Sequence, residues 1–174
     1  MLEQQLLAEF GRRLRAETAD KLTEMDGDTP LLRATALADV MIGYLEEAAT
    51  VSEHELCPYE DVGGRSRCRI IGYSLPAEST RLELFTAAVV GDDGANLPSA
   101  EVGSLTGRAA RFFHYAATGD VARFAGNEEV AAAAQLISDR LESIEEVRVH
   151  VLTNGSVKDR FVDDSSVLCI GATF

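Results

Sequence analysis

The sequence predicts a domain of the α/β type, more narrowly α+β, in which a mixed β-sheet is flanked by helices. Apolar residues recur at helical spacing in four segments. Two segments within residues 65–90, and a later one at 147–151, show the period-two alternation of strands. With 174 residues, 46% of them hydrophobic, the chain can bury one core. We therefore expect a single domain over residues 1–174, with an N-terminal helix of about residues 1–25 and a core of about residues 29–174.

Capping residues mark where the later helices begin. The first helix, over about residues 1–25, has apolar residues recurring every four positions with charged residues between them. Thr29 followed by Pro30 is the usual arrangement of an N-cap and a first helical residue, so it predicts the start of a second helix. Ser99 and Asn127 predict the caps of a third and a fourth helix.

The strands are predicted from alternation and from turn residues. Residues 65–90 predict an antiparallel pair joined by a turn at 75–79, and 147–151 predict a strand that ends in a Thr-Asn-Gly turn. The acidic segment 51–64 contains a Pro and a Gly pair and predicts an irregular loop, which is a common place for functional residues. Residues 166–174 predict a last strand, and this apolar end leads us to expect the N-terminal part of a longer protein.

Composition and charge narrow the class of protein. Asp and Glu outnumber Lys and Arg by 29 to 16, and a net charge of −13 disfavours nonspecific nucleic-acid binding unless the basic residues cluster. The chain has no apolar run of about 18 residues and no signal peptide, so we expect no membrane partner and a cytoplasmic location. Three cysteines without CxxC spacing fit a reducing compartment.

A zinc site is one candidate, and it is incomplete. His54, Cys57 and Cys68 have side chains that bind zinc, but a fourth ligand is missing. The favoured interpretation is that Cys68 and Cys169 are buried apolar residues and that His54 is solvated. We therefore predict no resident metal and no cofactor.

A carboxylate site that binds magnesium for phosphodiester hydrolysis is a second candidate. Such a site needs clustered acidic oxygens and a nearby base to stabilise the charge that develops on the phosphate. The candidate catalytic residues are Glu83, Glu46 and Glu53, joined by Glu55, with Arg81 or Arg69 as the base. Magnesium is expected only if this arrangement exists.

A third candidate is a contact with phosphate through Arg65, Arg67 and Arg69, which alternation places on one strand face. The favoured alternative is that these arginines pair across the sheet with Glu83 and neighbouring acids.

Five short segments carry a resemblance to a known family: Leu56–Tyr59, Cys68–Tyr73, Leu82–Phe85, Arg111–Phe112 and Val149–Gly155. Together they resemble the N-terminal region of the bacterial abortive infection phage resistance (AIPR) proteins, over roughly residues 30–174. That region is similar to the PD-(D/E)XK restriction-endonuclease-like fold. The resemblance implies a catalytic Asp at the position of Ile71 and an acid-x-Lys element at Glu83 to Phe85, so only Glu83 keeps the required residue type.

We therefore expect the N-terminal, nuclease-like but catalytically degenerate domain of an antiphage defence protein, acting in binding or assembly. One alternative is a magnesium-dependent nuclease with a rearranged acidic site that cuts DNA or RNA. Another is an acidic module that binds a protein. The expected partners are the C-terminal region of its own longer chain, a nucleic acid, a phage or host protein, or a second copy of the chain.

Overall fold

The computed structural model of the protein describes residues 2–61, 63–91 and 95–157, apart from the side chains of residues 2–4 and 7. The described part contains helices and strands that confirm the α+β class with a mixed sheet. In chain order they are α1 (Leu2–Glu24), α2 (Pro30–Glu47), β1 (Glu55–Glu60), β2 (Arg69–Ser74), β3 (Arg81–Ala88), α3 (Ser99–Ala117), α4 (Glu128–Asp139) and β4 (Glu146–Thr153), with short 3-10 helices at Val121–Phe124 and Leu141–Ser143.

The sheet has the strand order β1-β2-β3-β4. Strand β2 runs antiparallel to both β1 and β3, whereas β4 runs parallel to β3. The parallel register extends from Arg81 opposite Glu146 to Ala88 opposite Thr153. A parallel neighbour requires a long crossover, and α3 and α4 supply it between these two strands.

Helices cover both faces of the sheet. On one face, residues of β2, β3 and β4 pack against α3 and α4 around Leu84 and Phe112. On the other face, Phe85 and Ile71 pack against small residues of α2. Leu84 and Phe85 are adjacent in β3 and both are fully buried, because successive side chains of a strand point to opposite faces. Helix α1 packs on the outer side of α2 through Leu14. Within the described residues, no helix has the length and apolar character needed to cross a membrane.

Two of the three predicted helix caps are confirmed. The Thr29 hydroxyl accepts a hydrogen bond from the Leu32 amide, and the Asn127 side chain accepts one from the Val130 amide, each at 3.2 Å. The predicted cap at Ser99 is wrong: Ser99 is the first residue of α3, and Pro98 occupies the cap position without a side-chain hydrogen bond.

The predicted irregular loop over 51–64 is wrong in its middle part, because residues 55–60 form β1. Pro58 lies inside β1, where it lacks a backbone donor. An edge strand tolerates proline, and the register with β2 shifts between Leu56 and Tyr59, so the irregularity absorbs the missing hydrogen bond. The predicted strand over 166–174 lies outside the described residues.

The turn between β2 and β3 is held by Arg140, the residue that follows α4. Its guanidinium donates hydrogen bonds to the carbonyls of Leu75, Pro76, Ala77 and Ser79, over distances of 2.7 to 3.0 Å. One side chain therefore satisfies most of the turn's exposed carbonyls and joins the turn to the crossover. The planar guanidinium offers five donors in a fixed geometry, which lysine cannot reproduce.

We expect Arg140→Lys to lower the free energy of unfolding by about 2 kcal/mol, since it loses charge-assisted hydrogen bonds while it keeps the charge. Urea denaturation followed by circular dichroism measures this. Arg15→Lys on the exposed side of α1 is the matched control and should change the free energy of unfolding by less than about 0.5 kcal/mol. Equal effects of the two substitutions would contradict a clamping role for Arg140.

Candidate functional site

The carboxylate of Glu83, in the middle of the sheet, has two basic side chains as neighbours. Its Oε2 lies 2.5 Å from Nε2 of His150, and its Oε1 lies 3.7 Å from a guanidinium nitrogen of Arg81. Only 7% of the Glu83 side chain is exposed. The parallel register sets this pairing, since it places Arg148 opposite Glu83 and His150 opposite Phe85. A nearly buried carboxylate is stable when basic groups pair with it in this way.

A second carboxylate–imidazole pair lies at the end of α2. Oε1 of Glu46 lies 2.6 Å from Nδ1 of His54 and accepts a hydrogen bond from the His54 amide at 3.1 Å. On its other side, His54 Nε2 lies 3.7 Å from Asp39, which is itself 3.0 Å from Lys21. These side chains line an open cleft of about 460 Å³ between α1 and α2. The interpretation of His54 as a solvated side chain is therefore wrong, because only 15% of it is exposed.

Phe85 lies between the two imidazoles. Its ring stacks on His150 with centroids 5.0 Å apart and meets the edge of His54 at 6.5 Å. Phe85 and Ile71 are both fully buried, and they belong to the cluster that packs against α2. This side of the sheet is therefore a dry aromatic and aliphatic layer with one paired imidazole on either side of Phe85.

The remaining predicted acids do not join Glu83. Glu53 is exposed, and only its backbone carbonyl has a partner, the hydroxyl of Ser74 at 2.6 Å. Glu55 accepts a hydrogen bond at 3.0 Å from Tyr73, which belongs to the core on the α3 and α4 side of the sheet. Among the residues that the structure describes, no group of three or more His, Cys, Asp or Glu side chains is arranged to hold a metal ion. The catalytic roles of Glu83, Glu46 and Glu53 stay predictions.

The three predicted phosphate-contacting arginines do not share a strand face, and that part of the prediction is wrong. Strand β2 begins at Arg69, so Arg65 and Arg67 lie in the exposed segment before it. Arg69 is 12% exposed, lies 3.7 Å from Glu60 and donates to the Ala87 carbonyl at 2.8 Å. Its burial lowers the pKa of its guanidinium. Cross-strand pairing is therefore confirmed for Arg69, but its partner is Glu60 and not Glu83.

The cysteines do not form a zinc site with His54. Cys57 and Cys68 are buried in the core beside α3 and α4, whereas His54 lies near Phe85 on the other face. Burial raises the thiol pKa of both Cys57 and Cys68 to about 12. The expectation that Cys68 is a buried apolar residue is confirmed, and Cys169 lies outside the described residues.

Sequence reasoning missed the role of the Thr-Asn-Gly turn after β4. The Asn154 side chain accepts a hydrogen bond from the Val90 amide at 2.8 Å and donates one to the Val90 carbonyl at 3.0 Å. A Cβ on Gly155 would lie 2.5 Å from the Ala95 carbonyl oxygen, so no other residue fits without a shift. The turn therefore ties the end of β4 to the end of β3. The sequence signal was present as a turn motif, but the motif does not reveal its distant partner.

We expect Glu83→Ala to lower the free energy of unfolding by about 3 kcal/mol, because it removes the nearly buried partner of His150, whereas Arg81 keeps its closer pair with Glu146 at 2.7 Å. The matched control is Glu53→Ala, which removes an exposed carboxylate and should cost less than about 0.5 kcal/mol. Chemical denaturation of both variants measures the difference. A cost for Glu83→Ala as small as that of the control would show that the pairing does not stabilise the fold.

We expect Cys57 and Cys68 to resist thiol reagents in the folded protein at about pH 8, because a pKa of about 12 leaves almost no thiolate and both side chains are buried. A Cys169→Ser background restricts the assay to these two thiols. The colour released by a disulfide reagent should be negligible in buffer and should reach two equivalents in denaturant. Rapid labelling of either thiol in buffer would contradict the burial.

Comparison with known proteins identifies a family. Residues 37–174 match the family model described as the abortive infection phage resistance protein N-terminal domain. No curated protein and no solved structure matches the chain significantly. The match begins within α2 and takes in all four strands of the sheet, so it contains both carboxylate–imidazole pairs. Since it covers more than half of the sequence, the chain belongs to the family of abortive infection phage resistance protein N-terminal domains.

Proposed function

We propose that this chain is the nuclease-like, catalytically degenerate domain of a bacterial antiphage defence protein, and that it acts in binding or assembly. The family supports the defence role. The mixed sheet with helices on both faces is consistent with a restriction-endonuclease-like core. The partners that we propose are the C-terminal region of a longer chain, a nucleic acid, or a phage or host protein.

The burial of Ile71 and Phe85 is the observation that supports a degenerate site most strongly. The resemblance to PD-(D/E)XK nucleases implies a metal-binding carboxylate at position 71 and a lysine at position 85. Both side chains are instead fully buried and belong to one apolar cluster with α2. A hard cation such as Mg²⁺ needs several oxygen ligands, and an apolar layer offers none. Without the cation, the charge on a phosphate undergoing attack is not neutralised.

The pairing of Glu83 also supports a degenerate catalytic site. Glu83 is the one residue of the implied catalytic set that keeps its type, and its two oxygens face His150 and Arg81. A metal ion would have to displace both basic groups from a nearly buried carboxylate, which is costly chiefly because His150 would lose its partner. Glu83 is therefore better suited to holding β3 and β4 together than to binding Mg²⁺.

The test is cleavage of labelled single- and double-stranded DNA and RNA in the presence of Mg²⁺ or Mn²⁺. We expect no cleavage by the wild type above the level of Glu83→Gln, because no set of oxygen ligands surrounds this carboxylate. The matched control is Glu142→Gln, which makes the same change in charge at an exposed position outside the candidate acidic site.

A specific pattern would contradict the proposal. If the wild type and Glu142→Gln cleave a substrate and Glu83→Gln does not, the domain is an active nuclease with a rearranged acidic site. Cleavage that survives in all three proteins would instead indicate a contaminating nuclease, and purification through a second affinity tag would then remove it.

A further inference from the structure

We propose that Arg65, Arg67 and Arg111 form a surface that binds the phosphate backbone of a short single-stranded nucleic acid. The inference deepens the binding role proposed above and rests on it. It replaces the strand-face cluster expected from the sequence with one built from two elements, the segment 63–67 before β2 and the helix α3.

Two hydrogen bonds hold the segment 63–67 against α3. Arg111 donates from Nη1 to the Arg67 carbonyl at 3.1 Å, and the Tyr115 hydroxyl donates to the Ser66 carbonyl at 3.0 Å. Arg67 folds back to donate from Nε to the Gly64 carbonyl at 3.1 Å. The guanidinium of Arg111 therefore lies beside the backbone of Arg67, and arginines from both elements meet at one surface.

Among the described residues, the acids just before this segment, Glu60 and Asp61, pair with other arginines. Glu60 pairs with Arg108 and lies 3.7 Å from Arg69. Asp61 lies 3.4 Å from Arg123 and accepts a hydrogen bond from the Tyr59 hydroxyl at 2.7 Å. Burial opposes ionisation of Asp61, but these contacts outweigh it and lower the pKa of the carboxyl. Asp61 is therefore a charged and satisfied partner of Arg123.

The three arginines of the proposed surface lack such partners. Within the described part of the chain, no carboxylate pairs with Arg65, Arg67 or Arg111, and all three residues are exposed. Most other basic side chains of the described residues pair with an acid: Arg13, Lys21, Arg33, Arg69, Arg81, Arg108, Arg123 and Arg148. The surface thus carries uncompensated positive charge on a chain with a net charge of −13.

Backbone amides add donors at the same place. The amides of residues 63–67 donate no hydrogen bond to any other residue that the structure describes. Gly64 has a φ of +86°, a conformation that glycine adopts without strain. Exposed backbone amides beside guanidinium groups add further donors for phosphate oxygens. This favours phosphate over the carboxylates of an acidic peptide.

Charge and ring contacts restrict the kind of nucleic acid. A duplex would bring a second charged strand near an acidic molecule, so a single strand that touches only this surface is favoured. One face of the Tyr115 ring is covered by the Arg123 guanidinium, 4.2 Å from its centroid, so that face does not stack on a base. We therefore expect weak binding that depends on the backbone and not on the base sequence.

Fluorescence anisotropy with labelled single-stranded DNA and RNA of about 12 nucleotides tests the surface. The test variant is Arg65→Gln/Arg67→Gln/Arg111→Gln. The matched control is Arg12→Gln/Arg13→Gln/Arg15→Gln, which removes the same charge from α1. We expect the test variant to bind at least about tenfold more weakly in about 20 mM salt and the control less than about twofold. The slope of log K against log salt should fall by about 2 in the test variant, about 0.7 for each lost phosphate contact.

A single substitution distinguishes a loss of binding from a loss of folding. Arg65 is exposed and makes no hydrogen bond or ion pair with another described residue, so Arg65→Glu should leave the circular dichroism spectrum and the unfolding midpoint unchanged. We expect it to weaken binding by roughly threefold or more, since it replaces an attraction with a repulsion.

Three results would overturn the proposal. The first is that the wild type binds neither oligonucleotide in about 20 mM salt, and the second is that the control variant loses as much affinity as the test variant. The third is that polyglutamate of equal charge competes as strongly as the unlabelled oligonucleotide. The last result would assign the surface to an acidic protein. Cleavage of the oligonucleotide would overturn the proposed lack of catalysis and leave the binding surface intact, so the two proposals fail separately.

Discussion

The parallel pairing of β3 with β4 is the constraint on which the rest of the structure depends. Its register runs without a shift from Arg81 opposite Glu146 to Ala88 opposite Thr153. A slip of one residue would turn every side chain of β4 to the other face of the sheet. His150 reaches Glu83 only in the observed register, and Asn154 reaches the end of β3 for the same reason. The turn after β4, including the close packing of Gly155, therefore also helps to fix the position of Glu83 relative to His150.

The second constraint is the dry layer between the sheet and α2. Small residues of α2 let the helix approach closely, and Ile71 and Phe85 fill the remaining space. A carboxylate at position 71 in this layer would be buried without partners, which is strongly unfavourable. Under the proposal of a degenerate nuclease-like domain, the apolar side chains at positions 71 and 85 explain both the missing catalytic residues and the interface with α2. The two imidazoles beside Phe85 pair with Glu46 and Glu83.

The sequence predicted most of what depends on local pattern. Spacing and capping signals located the helices, and Thr29 and Asn127 cap α2 and α4 as expected. Alternation located β3 and β4. Strand β1 was missed, because Pro58 and nearby acids are typical of a loop and only pairing with β2 makes this segment a strand.

Features that depend on contacts distant in sequence were not predictable from one sequence. No local signal reveals that Arg140 binds the carbonyls of a turn more than 60 residues earlier. The partner of His54 was equally hidden, because it is set by the path of the chain from α2 into β1. Arg65 and Arg67 alternate like strand residues, yet the strand begins only at Arg69. Alternation alone does not show where a strand starts to pair, so the position of the basic surface also had to come from the structure.

The central claim is that the acid at the middle of the sheet serves the fold and does not bind a catalytic cation. Paramagnetic broadening of amide signals in ¹⁵N-labelled protein titrated with Mn²⁺ tests it most directly, since the effect falls steeply with distance from the ion. The account predicts that the signals of Ile71, Glu83 and His150 keep their line widths while any broadening falls on exposed acidic residues. Selective broadening of those three signals at substoichiometric Mn²⁺ would contradict it and would establish a metal site at Glu83.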